Sequence, residues 1–281
     1  MNNFDLFSLK CPVCQAPMLL KDTKMLCCEG QKIHTYDISS SGYVNLASPK
    51  QCGGGDTKEA VKARTSFLEL GFYENIANKT VELLQNYLKE DAKVVDAGCG
   101  EGYYTLKIAE RGFFTVGFDI SKMAVEAAAK RSKREAKAST AFAVASVYEL
   151  PLFDSFADAV VNIFAPCAEA EYLRVLADDG ILLVVHAGKD HLMGLKKALY
   201  ESTYENDERA DLPKDMELVL EEELKYDISV KGNQNVKNLF AMTPYYWRTS
   251  QADAKKLDNI EELQTEIDII FSVFKKKVDG K

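Results

Sequence analysis

Residues 94–105, VVDAGCGEGYYT, run from a short β-branched stretch into a helical pattern across Gly98, Gly100 and Gly102. A strand that turns this tightly into a helix needs backbone that can adopt left-handed dihedrals, which glycine does without strain. It also lets the main chain come close to a ligand, as in the first turn of an open α/β sheet. The same alternation continues on either side. Residues 57–73 and 76–88 read as helices, 92–98 as a buried strand, 103–112 as a helix and 113–121 as a strand. An alanine-rich helix (122–137), two strands (139–146 and 156–165), a helix ending at Gly180 and a strand (181–188) come next. Five strands interleaved with helices predict a doubly wound, mostly parallel α/β sheet with right-handed crossovers.

Two later segments have other patterns. Residues 265–276, TEIDIIFSVFKK, alternate like a late antiparallel edge strand. Residues 201–227 hold eleven acids against three bases and read as a solvated helix and loop. That one stretch accounts for the whole net charge of −8, so the remainder is neutral and can still present a local basic face. With 281 residues, 47% of them hydrophobic, the chain can bury a large core. Its apolar runs are far shorter than the roughly 18 residues that span a bilayer. The first residues, MNNFDLFSLKCP, do not have the form of a secretory leader. No membrane partner and a cytoplasmic location are therefore expected.

In a reducing compartment the cysteines are more readily metal ligands or redox groups than disulfides. Cys11, Cys14, Cys27 and Cys28 fall with His34 inside residues 11–37, CPVCQAPMLLKDTKMLCCEGQKIHTYD. Cys-x-x-Cys with a further Cys and a His beyond it suits a tetrahedral metal site, and a redox pair is the competing reading. The three glycines of residues 51–56, QCGGGD, read as a flexible connection between this cysteine-bearing block and the α/β portion of the chain.

The spacing in the glycine loop separates cofactors. A dinucleotide fingerprint is Gly-x-Gly-x-x-Gly, whereas here Tyr103 stands three residues after Gly100. Asp119 ends the next strand 19 residues after Gly100, where an acid can accept hydrogen bonds from ribose hydroxyls. Ser121 suits the cap of the helix beyond it. The series Asp96-x-Gly98-x-Gly100-x-Gly102 resembles motif I of class I S-adenosylmethionine-dependent methyltransferases. That resemblance implies Asp96 near the methionine end of the cofactor, Asp119 on the ribose and Ser146 flanking the adenine. It also implies that Phe164-Ala165-Pro166-Cys167 lies where the methyl acceptor sits. Cys167 is read as a wall of that place rather than a nucleophile, since no base partner is near it in sequence.

Further motifs narrow the family. CPVC (11–14), HTYDISSSGYVNL (34–46), the G-D-x-x-x-x-V-x-A-R-x-x-F-L-x-x-G-F-Y pattern of 55–73, APC (165–167), residues 191–196 and MTPYYWR (242–248) occur together. In this combination the chain resembles the bacterial 23S rRNA (guanine-N1)-methyltransferases. The resemblance implies a small N-terminal β module that holds zinc through Cys11, Cys14, Cys28 and His34, with Cys27 as the alternative to Cys28. It implies that Tyr73, Gly98, Gly100, Glu101 and His191 meet S-adenosylmethionine. The implied reaction is methyl transfer to N1 of a guanine in a hairpin loop of 23S rRNA. The alternatives are another RNA or a small-molecule acceptor. Residues 1–50 would form the zinc-binding, RNA-docking module, 51–60 a linker and 61–281 the methyltransferase domain, with homodimer formation as an open alternative to a monomer. No general base is identified. Asp154, Asp158 and Glu169 are the acids near the fourth strand.

Overall fold

The computed structural model describes residues 8–48, 55–135, 139–203, 205–206 and 212–277. Residues 51–54, within the expected linker, and residues 207–211 of the acidic stretch lie outside that set. The chain begins with strands β1 (Met18–Lys21), β2 (Met25–Cys28) and β3 (Thr35–Asp37), which form an antiparallel sheet in that order. Strand β4 (Tyr43–Asn45) leaves this sheet and joins a larger one. Helices α1 (Lys58–Leu68) and α2 (Glu74–Tyr87) precede β5 (Lys93–Ala97), α3 (Tyr103–Ala109), β6 (Phe114–Asp119), α4 (Lys122–Arg134) and β7 (Thr140–Val144). Next come β8 (Ala157–Ile163), α5 (Glu169–Val175), β9 (Leu176–Ala187), α6 (Met193–Leu199), β10 (Met216–Lys231), α7 (Asn233–Ala241) and β11 (Glu262–Lys276).

The large sheet has the order β10-β11-β9-β8-β5-β6-β7-β4. Strands β4 to β9 pair in parallel, and β11 runs antiparallel to both of its neighbours. From β5 the order runs outward in two directions, through β6 and β7 on one side and β8 and β9 on the other. Where the winding reverses, a crevice opens beyond the carboxyl ends of the strands. The doubly wound expectation therefore holds, and this crevice positions the site residues.

Local signals explain the element starts. The Thr57 hydroxyl accepts a hydrogen bond from the Ala60 amide at the start of α1, and the Ser121 hydroxyl accepts one from Ala124 at the start of α4. Arg131, Lys133 and Arg134 in the last turn of α4 complement its dipole. The strands β5 and β7 are buried almost throughout, as strands covered on both faces must be.

Three expectations change. Residues 216–227 are not a solvated helix and loop: they belong to β10, the edge of the sheet. Glu221, Glu223, Lys225 and Asp227 face solvent while Leu220, Leu224, Tyr226 and Ile228 turn inward, a period of two hidden beneath the acid count. A charged outer face on an edge strand also discourages pairing with a second sheet. Residues 265–276 form an antiparallel strand, but β11 lies inside the sheet between β9 and β10. Ile267, Ile269, Phe271 and Val273 are fully buried there, which an edge position could not provide. The helix expected to run to Gly180 stops at Val175, and Leu176 already begins β9. The residues before Ile181 are taken up by a register shift against β8.

The N-terminal sheet is fused to the large one. Lys10 donates its amide to the Pro151 carbonyl at 3.0 Å, and β4 pairs with β7 from Tyr43 against Phe142 to Asn45 against Val144. Leu9, Cys11, Met18, Leu26 and Cys28 share one apolar core with Val95, Val160 and Leu182 from the central strands. Among the described residues no helix is long and apolar enough to cross a membrane.

Candidate functional site

The glycine loop after β5 forms the floor of the crevice. Gly98, Gly100 and Gly102 all have positive φ, at 90°, 53° and 78°. A methyl group at Gly98 would lie 2.5 Å from the Ala165 Cβ, and one at Gly102 would lie 2.8 Å from the Ala128 Cβ. Conformation and close approach thus both demand glycine at these two positions. Asp119, at the end of β6, closes the loop from the side. Its Oδ2 accepts the Gly100 amide at 3.0 Å and its Oδ1 accepts the Ser121 amide at 2.7 Å. A carboxylate offers about four acceptor positions, so two remain for a ligand.

Asp96 lies beneath the loop with 2% of its surface exposed, and Thr105 donates to its Oδ2 at 2.5 Å. Burial, reinforced by the charges of Asp119 and Glu101, raises its pKa to about 7. Glu101 is equally buried, and burial raises it as well, against the pull of Arg64 at 3.8 Å. Asp119 is raised by burial too, although the two amides it accepts work against that. Arg64 also pairs with Asp56. Two buried acids and the half-buried Asp119, set against the Arg64 guanidinium, make a crevice that favours a cationic ligand.

Tyr73 and His191 are 118 residues apart in sequence and meet on the other side of the loop, with Tyr73 Oη 3.3 Å from His191 Nε2. His191 Nδ1 accepts the backbone amide of Asp268 at 3.3 Å. This assigns the ring proton to Nε2, which donates to Tyr73. Burial, reinforced by the charge of Lys196, lowers the His191 pKa to about 3, so the imidazole is neutral. With its one lone pair engaged, it has no capacity to act as a base. The Phe164 ring lies 6.1 Å from His191 at 14° and 6.3 Å from Tyr73.

The remaining sequence candidates divide. Ser146 lies at the carboxyl end of β7, on the crevice edge, where its hydroxyl accepts the Tyr148 amide at 3.3 Å. Cys167 packs against the apolar core under β8. Asp158 is the second residue of β8 and so lies at the wrong end: it accepts the Lys93 amide at 2.7 Å, at the amino ends of β5 and β8. Asp154 precedes β8 and is held by Arg174 at 2.7 Å, which lowers its pKa. Glu169 accepts the Asp215 amide at 2.5 Å. Sequence reading overlooked Arg64 as a site residue. Its signal was a lone cation on the apolar face of α1, beside Val61 and Leu68.

In the N-terminal sheet the donor atoms of Cys11, Cys14, Cys28 and His34 all lie within 4.8 Å of one another. Cys14 and Cys28 sulfurs are 3.6 Å apart, and His34 Nδ1 is 3.6 Å from Cys11 Sγ and 3.5 Å from Cys28 Sγ. A tetrahedral zinc with sulfurs at about 2.3 Å and nitrogen at about 2.05 Å separates its ligands by roughly 3.6–3.8 Å. The donor set therefore fits that ion. The His34 amide donates to Cys28 Sγ at 3.1 Å, and donations of this kind lower the Cys28 pKa to about 6, favouring the thiolate a metal needs. Tyr36 Oη lies 3.4 Å from Cys11 Sγ as an outer partner. Cys27 belongs to the opposite face of β2 and is not in the group.

The two regions correspond to two family models. Residues 88–244 match a methyltransferase domain, and residues 9–51 match the RlmA N-terminal zinc ribbon. A Streptomyces fradiae protein named 23S rRNA (guanine(748)-N(1))-methyltransferase is 35% identical over 196 residues, covering 68% of this chain and 67% of its own length. The chain belongs to the 23S rRNA (guanine-N1)-methyltransferase family. A Bacillus subtilis relative, YxjB, named as a candidate member of the same activity class, is 28% identical over 94% of this chain and 96% of its own. Family membership gives the chain two cofactors, S-adenosylmethionine and zinc, and the Cys/His cluster has the donor set of a zinc site.

Proposed function

We propose that this chain methylates N1 of a guanine in a hairpin loop of 23S rRNA, acting in the cytoplasm. The observation that carries this reading is the union, in one chain and on one shared core, of a cation-seeking crevice at the strand ends with a four-donor Cys/His cluster. When bound, S-adenosylmethionine supplies a methyl group made electrophilic by its sulfonium. In this reading Gly98 and Gly100 let the backbone approach the cofactor, Asp119 holds its ribose hydroxyls, and Ser146 borders its adenine. Asp96 and Glu101 compensate its positive charge, and Tyr73 and His191 wall its methionine end. Cys11, Cys14, Cys28 and His34 hold the zinc.

Guanine N1 carries a proton and sits on the Watson–Crick edge. A base in a loop, or one flipped from a stem, exposes that edge. The enzyme's share is then largely positioning. Residues 1–50 are assigned to RNA docking, 51–60 to the connection and 61–281 to methyl transfer. Lys21, Lys24 and Lys32 are exposed on the zinc module and available to phosphate. Because β4 belongs to the large sheet, a docked RNA is held at a fixed offset from the crevice. Association as a homodimer is part of the same proposal, read by sedimentation.

Methylation of N1 blocks pairing, so primer extension on 23S rRNA from cells containing the protein should stop at one loop guanine. The stop should vanish from cells lacking the protein and return when purified protein and S-adenosylmethionine are added. Identical extension in both rRNAs overturns the proposal.

A further inference from the structure

We propose that Phe164 is the platform on which the methyl-accepting purine stacks, an inference that rests on the function proposed above. Phe164 is the first residue after β8, at the crevice edge, and its amide is fixed to the Val185 carbonyl at 3.0 Å. Its φ is 52°, in the left-handed region that a bulky aromatic rarely occupies. The surroundings impose this conformation. Ala165 is pressed against Gly98, and the Pro166 carbonyl accepts from Asn162 Nδ2 at 2.9 Å and from the buried Tyr172 hydroxyl at 3.2 Å. Strain held in place by a rigid frame is a mark of functional positions.

The strain serves to expose the ring. Phe164 is 45% exposed, while the two rings behind it, Tyr73 at 2% and His191 at 6%, are buried. A phenylalanine placed for core packing would be buried with them. Tyr73 and the nearly parallel His191 pack against Phe164, and the rest of its ring remains as exposed apolar aromatic surface at the carboxyl end of β8. Such a surface binds the face of a nucleobase and tolerates any base, because every base has a π face. A guanine lying on it keeps N1 in the ring plane, away from the stacked face and open to a donor held over the glycine loop. The cofactor's own purine belongs elsewhere, since Asp119 and Ser146 end β6 and β7, across β5 from Phe164.

The test measures tritiated methyl transfer to 23S rRNA from cells lacking the protein, with S-adenosylmethionine affinity measured by calorimetry on the same preparations. Phe164→Leu should lose on the order of 10- to 100-fold in kcat/KM for RNA at unchanged cofactor affinity, the usual worth of one base stacked on an aromatic. Phe164→Tyr should restore the rate to within a few-fold. Phe164→Gly removes the ring together with the strained dihedral, so it should stay folded by thermal melting yet be as slow as the Leu variant. The inference is overturned if the Leu variant matches wild type, if Tyr is as slow as Leu, or if cofactor affinity falls in step with rate. Failure of the wild-type protein to methylate 23S rRNA would instead refute the proposed function itself.

Discussion

Asp96→Asn should abolish a pH dependence of stability that the wild-type protein carries in the absence of cofactor. The Asp96 carboxyl is buried, and the hydrogen bond it accepts from Thr105 is neutral. Burial lifts its pKa from 3.8 to about 7. The unfolded chain releases this proton near pH 4, whereas the folded chain keeps it to about pH 7. Between those values the folded state binds more protons, so stability falls as pH rises and levels off above 7. A shift of about three units at ~1.4 kcal/mol each puts the penalty at about 4 kcal/mol, as an upper figure. Urea unfolding of wild type and Asp96→Asn at pH 5, 6, 7 and 8 reads it. The difference between the two proteins should move in the variant's favour by a few kcal/mol across the range. Contributions from the zinc ligands, Glu101 and Asp119 are common to both and largely cancel. Parallel curves for the two proteins would refute the reasoning.

The same group should report on the ligand. A cationic cofactor beside Asp96 favours the carboxylate, so binding at pH 7 should release protons, seen as a buffer-dependent enthalpy in calorimetry. The release should shrink in Asp96→Asn. The affinity lost should be about 1.5–3 kcal/mol, the scale of a hydrogen-bonded charged group. Wild-type binding whose enthalpy is the same in every buffer would count against Asp96 as a cofactor residue.

The purified protein should contain about one zinc, and Cys28→Ser should lose it while Cys27→Ser keeps it; metal analysis reversing that order would assign the third ligand to Cys27. Asp119→Ala should weaken S-adenosylmethionine binding by ~1.5–3 kcal/mol by calorimetry, and unchanged affinity removes it from the site. Gly102→Ala, with positive φ and Ala128 2.8 Å from the new methyl, should cost ~1–3 kcal/mol in urea unfolding; an unchanged midpoint contradicts the packing. His191, with a pKa near 3, should leave no inflection near pH 6.5 in the rate of methyl transfer. An inflection that disappears in His191→Gln shows that it does titrate there.

What could be read from the sequence was whatever a local rule decides. The glycine loop and Asp119 were legible because positive φ and strand-end spacing act within one β–α–β unit, and the Gly100–Asp119 hydrogen bond is their direct consequence. Tyr73 and His191 were reachable only through resemblance, since no local rule joins residues 118 apart. The choice between Cys27 and Cys28 is made by strand alternation: Leu26 and Cys28 share the buried face of β2 and Cys27 does not. Arg64 stood out only as a cation on the apolar face of α1, and its role was not legible because its partners Asp56 and Glu101 assemble around it only in the fold.

The acids near the fourth strand show a deeper reason. Asp158 is the second residue of β8, and Phe164, six residues on, is the first beyond its end. At about 3.3 Å per residue a strand separates such residues by roughly 20 Å. Closeness in sequence therefore placed Asp158 at the opposite edge of the sheet from the chemistry, where it anchors the start of β5 through the Lys93 amide. Only the carboxyl end of each strand reaches the crevice. A residue's position along its strand, more than its acidity, decides whether it can take part in methyl transfer, and Phe164 satisfies that condition.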